Sequence, residues 1–336
     1  TLEVMHELGM LEEFLQRPHQ KLHRLAGQVG NDSIPLADFS HLPTKCKFIV
    51  FMPQWDFLDF LRDEASVYPG FELRMKSPVV GFIEEGGRIG GVRLADGREL
   101  RGALTVAADG RSSLARKLLQ VENLGAPMDV FWFRVPKPPQ MGWAVRGIAA
   151  PGTLMALIGR GDYWQVAYVF AKGMGEKLRA GGIATLRSRI EEAAPILGPL
   201  DGVLTSMDQM HLLTVELDRL TCWHRPGLLA IGDAAHAMSP AGGIGINLAI
   251  QDAVAAANVL AGPMARGKPV DSLLRKVQDR RLLPTRIIQA GQRAAKNRII
   301  GRVTGGAPFT RAPLLVRLLD RYPLLRRIPG RMIGLG

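Results

Sequence analysis

Two acidic strand ends constrain this chain more than any other feature. Residues 230–253 read AIGDAAHAMSPAGGIGINLAIQDA. An apolar run stops at Asp233, and a loop of small residues follows with Pro240, Gly242, Gly243 and Gly245. An alanine-rich helical pattern then begins near Ile246 or Asn247. Residues 106–116, VAADGRSSLAR, repeat the order: an apolar strand, Asp109-Gly110, and a helix start with Ser112 or Ser113 as N-cap. A strand that brings a carboxylate to the carboxyl edge of a sheet puts an acceptor in the crevice where α/β folds bind ligands. Asp233 at such an edge suits ligand hydroxyls, as on a sugar alcohol. Glycines let the backbone approach a flat ligand without Cβ contacts. The helix start offers free N–H groups and a partial positive charge, which favour a phosphate or a developing anion by about 0.3–1 kcal/mol. Either stretch alone also fits a plain helix cap and a glycine turn. Two such ends, about 120 residues apart, can converge on one extended, phosphate-bearing ligand.

Composition narrows the setting. The 336 residues suffice for one large domain or two smaller ones, and 47% hydrophobic with 22% charged residues describes a globular protein. No run of 18 uninterrupted apolar residues occurs, and the first residues lack a secretory pattern. The two cysteines, Cys46 and Cys222, have no metal-type spacing, so no metal site is expected and a reducing, cytoplasmic setting is. The net charge of +12 suits an anionic ligand, nucleic acid or membrane surface. No RNA-binding signature or aromatic–basic interleaving accompanies it, so nucleic acid is not expected. The basic, leucine-rich stretch 313–336 fits either a helix packed on the protein or a peripheral membrane contact, and Pro323 and Pro329 interrupt its amphipathic face.

The pattern along the chain implies a discontinuous domain. Residues 2–15 have the spacing of one amphipathic helix. Residues 34–39 and 47–52 read as strands, 54–68 as a helix and 71–100 as a meander with GG and DG turns. Residues 112–120 read as the helix after Asp109. The Pro- and Gly-rich stretch 122–142 marks a crossing into a second sheet, whose strands include VFWFRV, TLMALIG, YWQVAYVF and HLLTVEL, with a helix over 181–198. Strand–loop–helix order returns from Trp223, and 246–336 is mostly helical. The expected division is 1–30, 53–122 and 222–336 for a Rossmann-like α/β unit, with 31–52 and 123–221 for an inserted mixed β-sheet unit.

Here the chain resembles a known family, the class A flavoprotein aromatic hydroxylases, similar to para-hydroxybenzoate hydroxylase. GDAAHAMSPAGGIGINLAIQDA resembles its GD motif and flavin loop, and AADGRSSLAR its DG motif. PQWDFLDFL resembles the helix bearing a flavin-contacting residue, here Gln54, and SPVVGF the strand along the adenine, near Val80. The resemblance implies an FAD-dependent, NADH- or NADPH-consuming monooxygenase that hydroxylates an aromatic or quinone-like molecule with O2 through a flavin C4a-hydroperoxide. It implies that Asp233 serves the ribityl chain, that Gly232 before it is cofactor-binding, and that Pro240 lies over the isoalloxazine. Gly245, Ile246 and Asn247 then serve the N1–C2=O edge, Asp109 and Gly110 the pyrophosphate, and Gly243 belongs to the cofactor-binding loop. Arg111 and Arg116 are further candidates for phosphate contacts. His236 reads either as a base or as a histidine packed behind the loop. Trp132, Arg134 and Trp164, with Met155 and Tyr168, lie on the second sheet as substrate candidates or as core; period-2 alternation allows only some of each strand to face a pocket.

The family's opening βαβ unit with GxGxxG does not appear in these residues; the only GxG is Gly243-Ile244-Gly245. A longer parent protein is the expectation that follows. Two other readings stay open: an FAD-dependent reductase of the same fold acting on a lipid-like substrate, and a non-catalytic binding protein derived from a flavoprotein. The GWxWxIP stretch of flavin-dependent halogenases is absent. A homodimer is compatible with all of these.

Overall fold

The structure is a computed structural model. It describes all residues except 30–31, 126–127, 139–140, 142–144, 151–152, 241–242, 296–317, 320 and 335–336. Eight helices serve as landmarks among the described residues: α1 (Leu2–Glu7), α2 (Leu11–Phe14), α3 (Gln54–Ser66), α4 (Gly175–Ala180), α5 (Gly182–Ala193), α6 (Gly245–Ala265), α7 (Leu274–Ala295) and α8 (Arg327–Gly334). The amphipathic stretch 2–15 is two helices rather than one. Gly9 takes φ +76°, a left-handed conformation that ends α1.

A parallel pair joins the two acidic strand ends. Thr105–Ala107 runs beside Leu228–Ala230, with Ala107 opposite Ala230. Both strands therefore deliver their following residues, Asp109 and Asp233, to the same edge. Leu228, Leu229 and Ala230 are buried, as expected of a strand covered on both faces. Their core includes Trp223 and Ala255, Ala256 and Leu260 of α6, with Leu274 and Val277 of α7. The meander Val79–Glu85, Arg88–Leu94 and Glu99–Arg101 packs on this core through Ile89. It begins at Val79, so residues 71–75 are not strand. The helix expected over 112–120 is a single 3-10 turn, Leu114–Lys117, capped by the Ser113 side chain accepting from the Ala115 N–H.

The second unit is a seven-stranded sheet. Its order is His211–Thr214, Met128–Pro136, Tyr163–Ala171, Thr153–Gly159, Val145–Ala150, Arg24–Val29 and Asp32–Asp38. Arg24–Val29 joins this sheet together with Asp32–Asp38, and Gln20–Leu22 pairs separately with Ile49–Phe51. One face lies under α5: Phe131, Phe133, Trp164, Val166 and Phe170 pack with Leu186 and Ile190. The other face carries a smaller cluster of Met128, Val130, Ala167 and Val215. In the C-terminal stretch, residues 313–317, 320 and 335–336 lie outside the described residues. The described part ends in α8, which packs on strand Asp32–Asp38. A Cβ at Gly330 would stand 2.2 Å from the Asp38 carbonyl oxygen, so only glycine permits this approach.

Helix α6 is long and apolar enough to cross a membrane by length and composition. It is held in the protein by Leu248, Ala255 and Leu260, and by the buried charge of Asp252.

Candidate active site

The site is built where the strand Leu228–Ala230 ends. Gly232 takes φ +58°, and a Cβ there would stand 3.0 Å from the Ala249 Cβ of α6. Glycine alone allows the strand end to lie this close to the helix. Asp233 follows, with its carboxyl 38% exposed. An added Cβ at Gly245 would lie 3.9 Å from Asp233 Oδ1, so the carboxyl stands beside the first turn of α6. No side chain caps that turn. Its first N–H groups are therefore open to a ligand, next to an acceptor for hydroxyls.

The second acidic strand end grips the first. Arg111 Nε lies 3.3 Å from Asp233 Oδ2, and Arg111 Nη2 donates to the Met238 carbonyl at 3.0 Å. Arg111 Nη1 is buried with no hydrogen-bond partner. Arg116 Nη1 donates to the Asp233 carbonyl at 3.1 Å, and its Nη2 pairs with Asp218 at 2.6 Å. Asp109 is exposed and accepts from the Leu114 N–H at 3.4 Å; Gly110, at φ +82°, makes the turn. The structure thus brings Asp109, Gly110, Arg111, Arg116, Gly232, Asp233 and Gly245 together.

Other sequence candidates stand around this cluster. Pro240 is half-buried, Gly243 adopts φ +62°, and Ile246 is exposed. Asn247 Oδ1 accepts from the Thr1 hydroxyl at 2.5 Å. Gln54 is exposed at the start of α3, whose core cluster includes Ile250 of α6. Val80 is exposed on the strand Val79–Glu85, and no described contact joins it to Asp233.

His236 is not placed to act as a base on a substrate. It is 1% exposed, and its Nε2 lies 2.6 Å from Asp252 Oδ2. Asp252 also accepts from the Gly232 N–H at 3.0 Å and from Arg281 Nε at 2.8 Å. Burial by itself would raise the Asp252 carboxyl. The hydrogen bond and charge of His236, with Arg281 and the Gly232 amide, outweigh it and hold the carboxyl below its usual range. Asp252 and Arg281 were not singled out from the sequence, yet they hold the strand end that presents Asp233.

The seven-stranded sheet divides the substrate candidates. Trp164 is buried on the α5 side, with Met155 and Tyr168 in the same core, so these three are packing residues. Trp132 and Arg134 point to the other face; Arg134 is exposed and stacks on the Tyr163 ring at 4.8 Å. Trp132 lies opposite Ala167, which pairs in turn with Ala156, Gly147 and Gly27. The row is one indole followed by residues with little or no side chain. A Cβ at Gly147 would meet nothing within 4 Å.

The arrangement fits a dinucleotide cofactor with a polyhydroxyl chain. Asp233 offers the acceptor, the uncapped α6 turn offers donors, Gly243 and Gly245 keep Cβ atoms away, and Arg111 holds one unpaired buried N–H group beside them.

Comparison with known proteins agrees. The sequence signature of the family described as FAD binding domain matches residues 1–290. The 6-methylpretetramide 4-monooxygenase of Streptomyces rimosus is 32% identical over 337 residues, covering 98% of this chain and 80% of that protein. The rifampicin monooxygenase of Streptomyces venezuelae is 28% identical over 262 residues, covering 75% of this chain and 52% of that protein. Against that second relative the chain spans about half of its length. Among solved structures, PqsL, a probable FAD-dependent monooxygenase from Pseudomonas aeruginosa, has a TM-score of 0.74 at 22% identity, covering 90% of this chain and 86% of that one. At that identity the likeness concerns the fold.

Proposed function

Because the chain belongs to the FAD-binding-domain family of class A flavoprotein aromatic hydroxylases, we propose that it hydroxylates a broad, fused-ring aromatic substrate, with NADH or NADPH as reductant and O2 as the oxygen source. The observation that carries this reading is the Asp233 carboxyl beside the uncapped first turn of α6. FAD, when bound and reduced, supplies the chemistry that activates O2 and gives one oxygen to the ring.

The chain's own residues supply position and electrostatics. Asp233 would accept from the ribityl hydroxyls of bound FAD, and Arg111 and Arg116 keep its carboxyl and its carbonyl in place. The N–H groups at Gly245, Ile246 and Asn247 would offer partial positive charge to the edge of a bound flavin and favour its anionic form. Pro240 and the Trp132 face of the sheet exclude water from the reacting ring.

Two observations favour a wide substrate. The row beside Trp132 runs through Ala167 and Ala156 to Gly147, where an added Cβ would meet nothing within 4 Å, so no bulky side chain of this row stands beside the indole. A relative named for action on 6-methylpretetramide matches nearly the whole chain. The test is an absorbance spectrum after FAD reconstitution, followed by aerobic NADH and NADPH oxidation with a panel of single-ring and fused-ring phenols. Flavin bands with oxidation stimulated by fused-ring phenols bear the proposal out. A protein that takes up no FAD overturns it. Stimulation by single-ring phenols alone removes the substrate assignment.

A further inference from the structure

Helix α7 carries a polar ladder on its buried side. Gln278, Arg281, Thr285, Gln289 and Gln292 recur at steps of three or four, which keeps them on one helix face. Arg280, Leu283, Arg286 and Ile287 occupy the exposed side. Gln278 accepts from the Trp223 N–H at 2.9 Å and donates to the Thr221 carbonyl at 3.0 Å. Arg281 reaches the Gly232 amide through Asp252. Gln289 Nε2 donates to the carbonyls of Asp218 at 2.8 Å and Ala237 at 3.4 Å. Gln292 Oε1 accepts from the Ser239 N–H, and its Nε2 donates to the Ser239 carbonyl, each at 3.1 Å. Each bonded rung reaches the segment 218–239, directly or through Asp252, and Arg281 also donates to Gln251 of α6 at 2.6 Å.

We propose that Gln289 and Gln292 are positioning residues for the cofactor loop. They fix the backbone at Ala237 and Ser239, and thereby the stance of Pro240 and of the first turn of α6. This rests on the flavin reading above. The last rung is the most telling. One amide pairs with both backbone groups of Ser239, as a neighbouring strand would, and so sets the orientation of the residue next to Pro240. Ser239 is buried, so an apolar side chain at 292 would remove both of these backbone hydrogen bonds from a buried residue. The purpose of such a clamp is geometric. A loop of small residues has many conformations, and a site that offers amides to a flavin edge needs one of them.

The test uses Gln292→Leu, Gln292→Glu, which keeps the acceptor for the Ser239 N–H, and Arg286→Gln on the exposed side as control. Three quantities are read: hydrogen exchange at the Ser239 amide, the FAD dissociation constant by flavin fluorescence, and the midpoint potential of bound flavin. Gln292→Leu is expected to speed Ser239 exchange about tenfold and weaken FAD about tenfold, as the loss of one partly buried hydrogen-bond pair implies. It is also expected to shift the midpoint potential. Gln292→Glu should recover part of each effect, and Arg286→Gln should leave all three unchanged. If Gln292→Leu does not fold, Gln292→Glu with Gln289→Leu carries the comparison. Unchanged Ser239 exchange overturns the clamp. Faster exchange with FAD affinity within twofold of wild type and an unchanged midpoint potential overturns its role in the cofactor site. Failure of the wild-type protein to bind FAD is a different result, seen before any variant is made, and it removes the flavin reading itself.

Discussion

Replacing Asp252 by asparagine keeps the shape of the side chain and removes its charge. Three groups then lose an anion: His236, Arg281 and the Gly232 amide. The Arg281 side chain is only 10% exposed, so its cation is left largely out of water. Breaking a buried pair on one side in this way costs about 3–5 kcal/mol. For a chain of this length the unfolding entropy is about 0.7 kcal/mol per kelvin, so the expected fall in Tm is about 4–7 °C at pH 7. Because the folded-state Asp252 carboxyl lies below its usual range, its contribution is present above the unfolded value and is lost as pH falls through the folded one. The gap between wild type and Asp252→Asn should therefore hold from pH 7 down to about 4 and close below it. Differential scanning calorimetry across that range measures both. The double variant Asp252→Asn/Arg281→Gln completes a cycle, and its cost should fall short of the sum of the two single costs by at least about 1 kcal/mol. Additivity within about 0.5 kcal/mol, or a gap indifferent to acid, would refute the buried-pair reasoning.

Three further outcomes follow from the geometry. Trp164→Ala empties a buried site under α5 and should cost about 3–5 kcal/mol, whereas Trp132→Ala, at a site half-buried against Met128 and Val130, should lower Tm clearly less and raise KM for a fused-ring substrate; equal effects on Tm would show that both are core. Arg111→Gln should weaken FAD by about tenfold and riboflavin much less if its buried Nη1 meets the diphosphate, and titration of both ligands separates this from a general loosening of Asp233. Gly330→Ala forces α8 away from the Asp38 carbonyl, and limited proteolysis should then cut near 318–334 sooner than in wild type.

The strand–Asp–loop–helix order was legible because it rests on local signals: an apolar run, a carboxylate, glycines and an amphipathic pattern. The same signals failed where the third dimension decides. Residues 112–120 have helical spacing, yet only one 3-10 turn forms, as Arg116 reaches across to Asp218 and the Asp233 carbonyl. Alternation along Met128–Pro136 and Tyr163–Ala171 announced two faces without saying which one lies under α5. Trp164 was therefore a candidate in the sequence and a core residue in the structure. Helix α7 carried no reading beyond its helical character. Its arginines and glutamines have the composition of a solvated surface. The informative signal was spacing: polar residues at 278, 281, 285, 289 and 292 share a face with Val277 and Leu274, and that is the buried face.

The parallel pairing of Thr105–Ala107 with Leu228–Ala230 also bears on the order in which the molecule assembles. Roughly 120 residues separate the two strands, and closing a flexible loop of that length costs about 4 kcal/mol of chain entropy. Most strands of the seven-stranded sheet lie within that interval. Once those strands have paired, the ends of the interval are no longer free to wander, and the remaining search for the neighbour of Leu228–Ala230 is short. Antiparallel partners such as Thr153–Gly159 and Tyr163–Ala171 are close in sequence and can form first. On this loop-entropy argument the cofactor edge closes after the strands inside the interval have paired, so Asp233's surroundings depend on the second unit being built first.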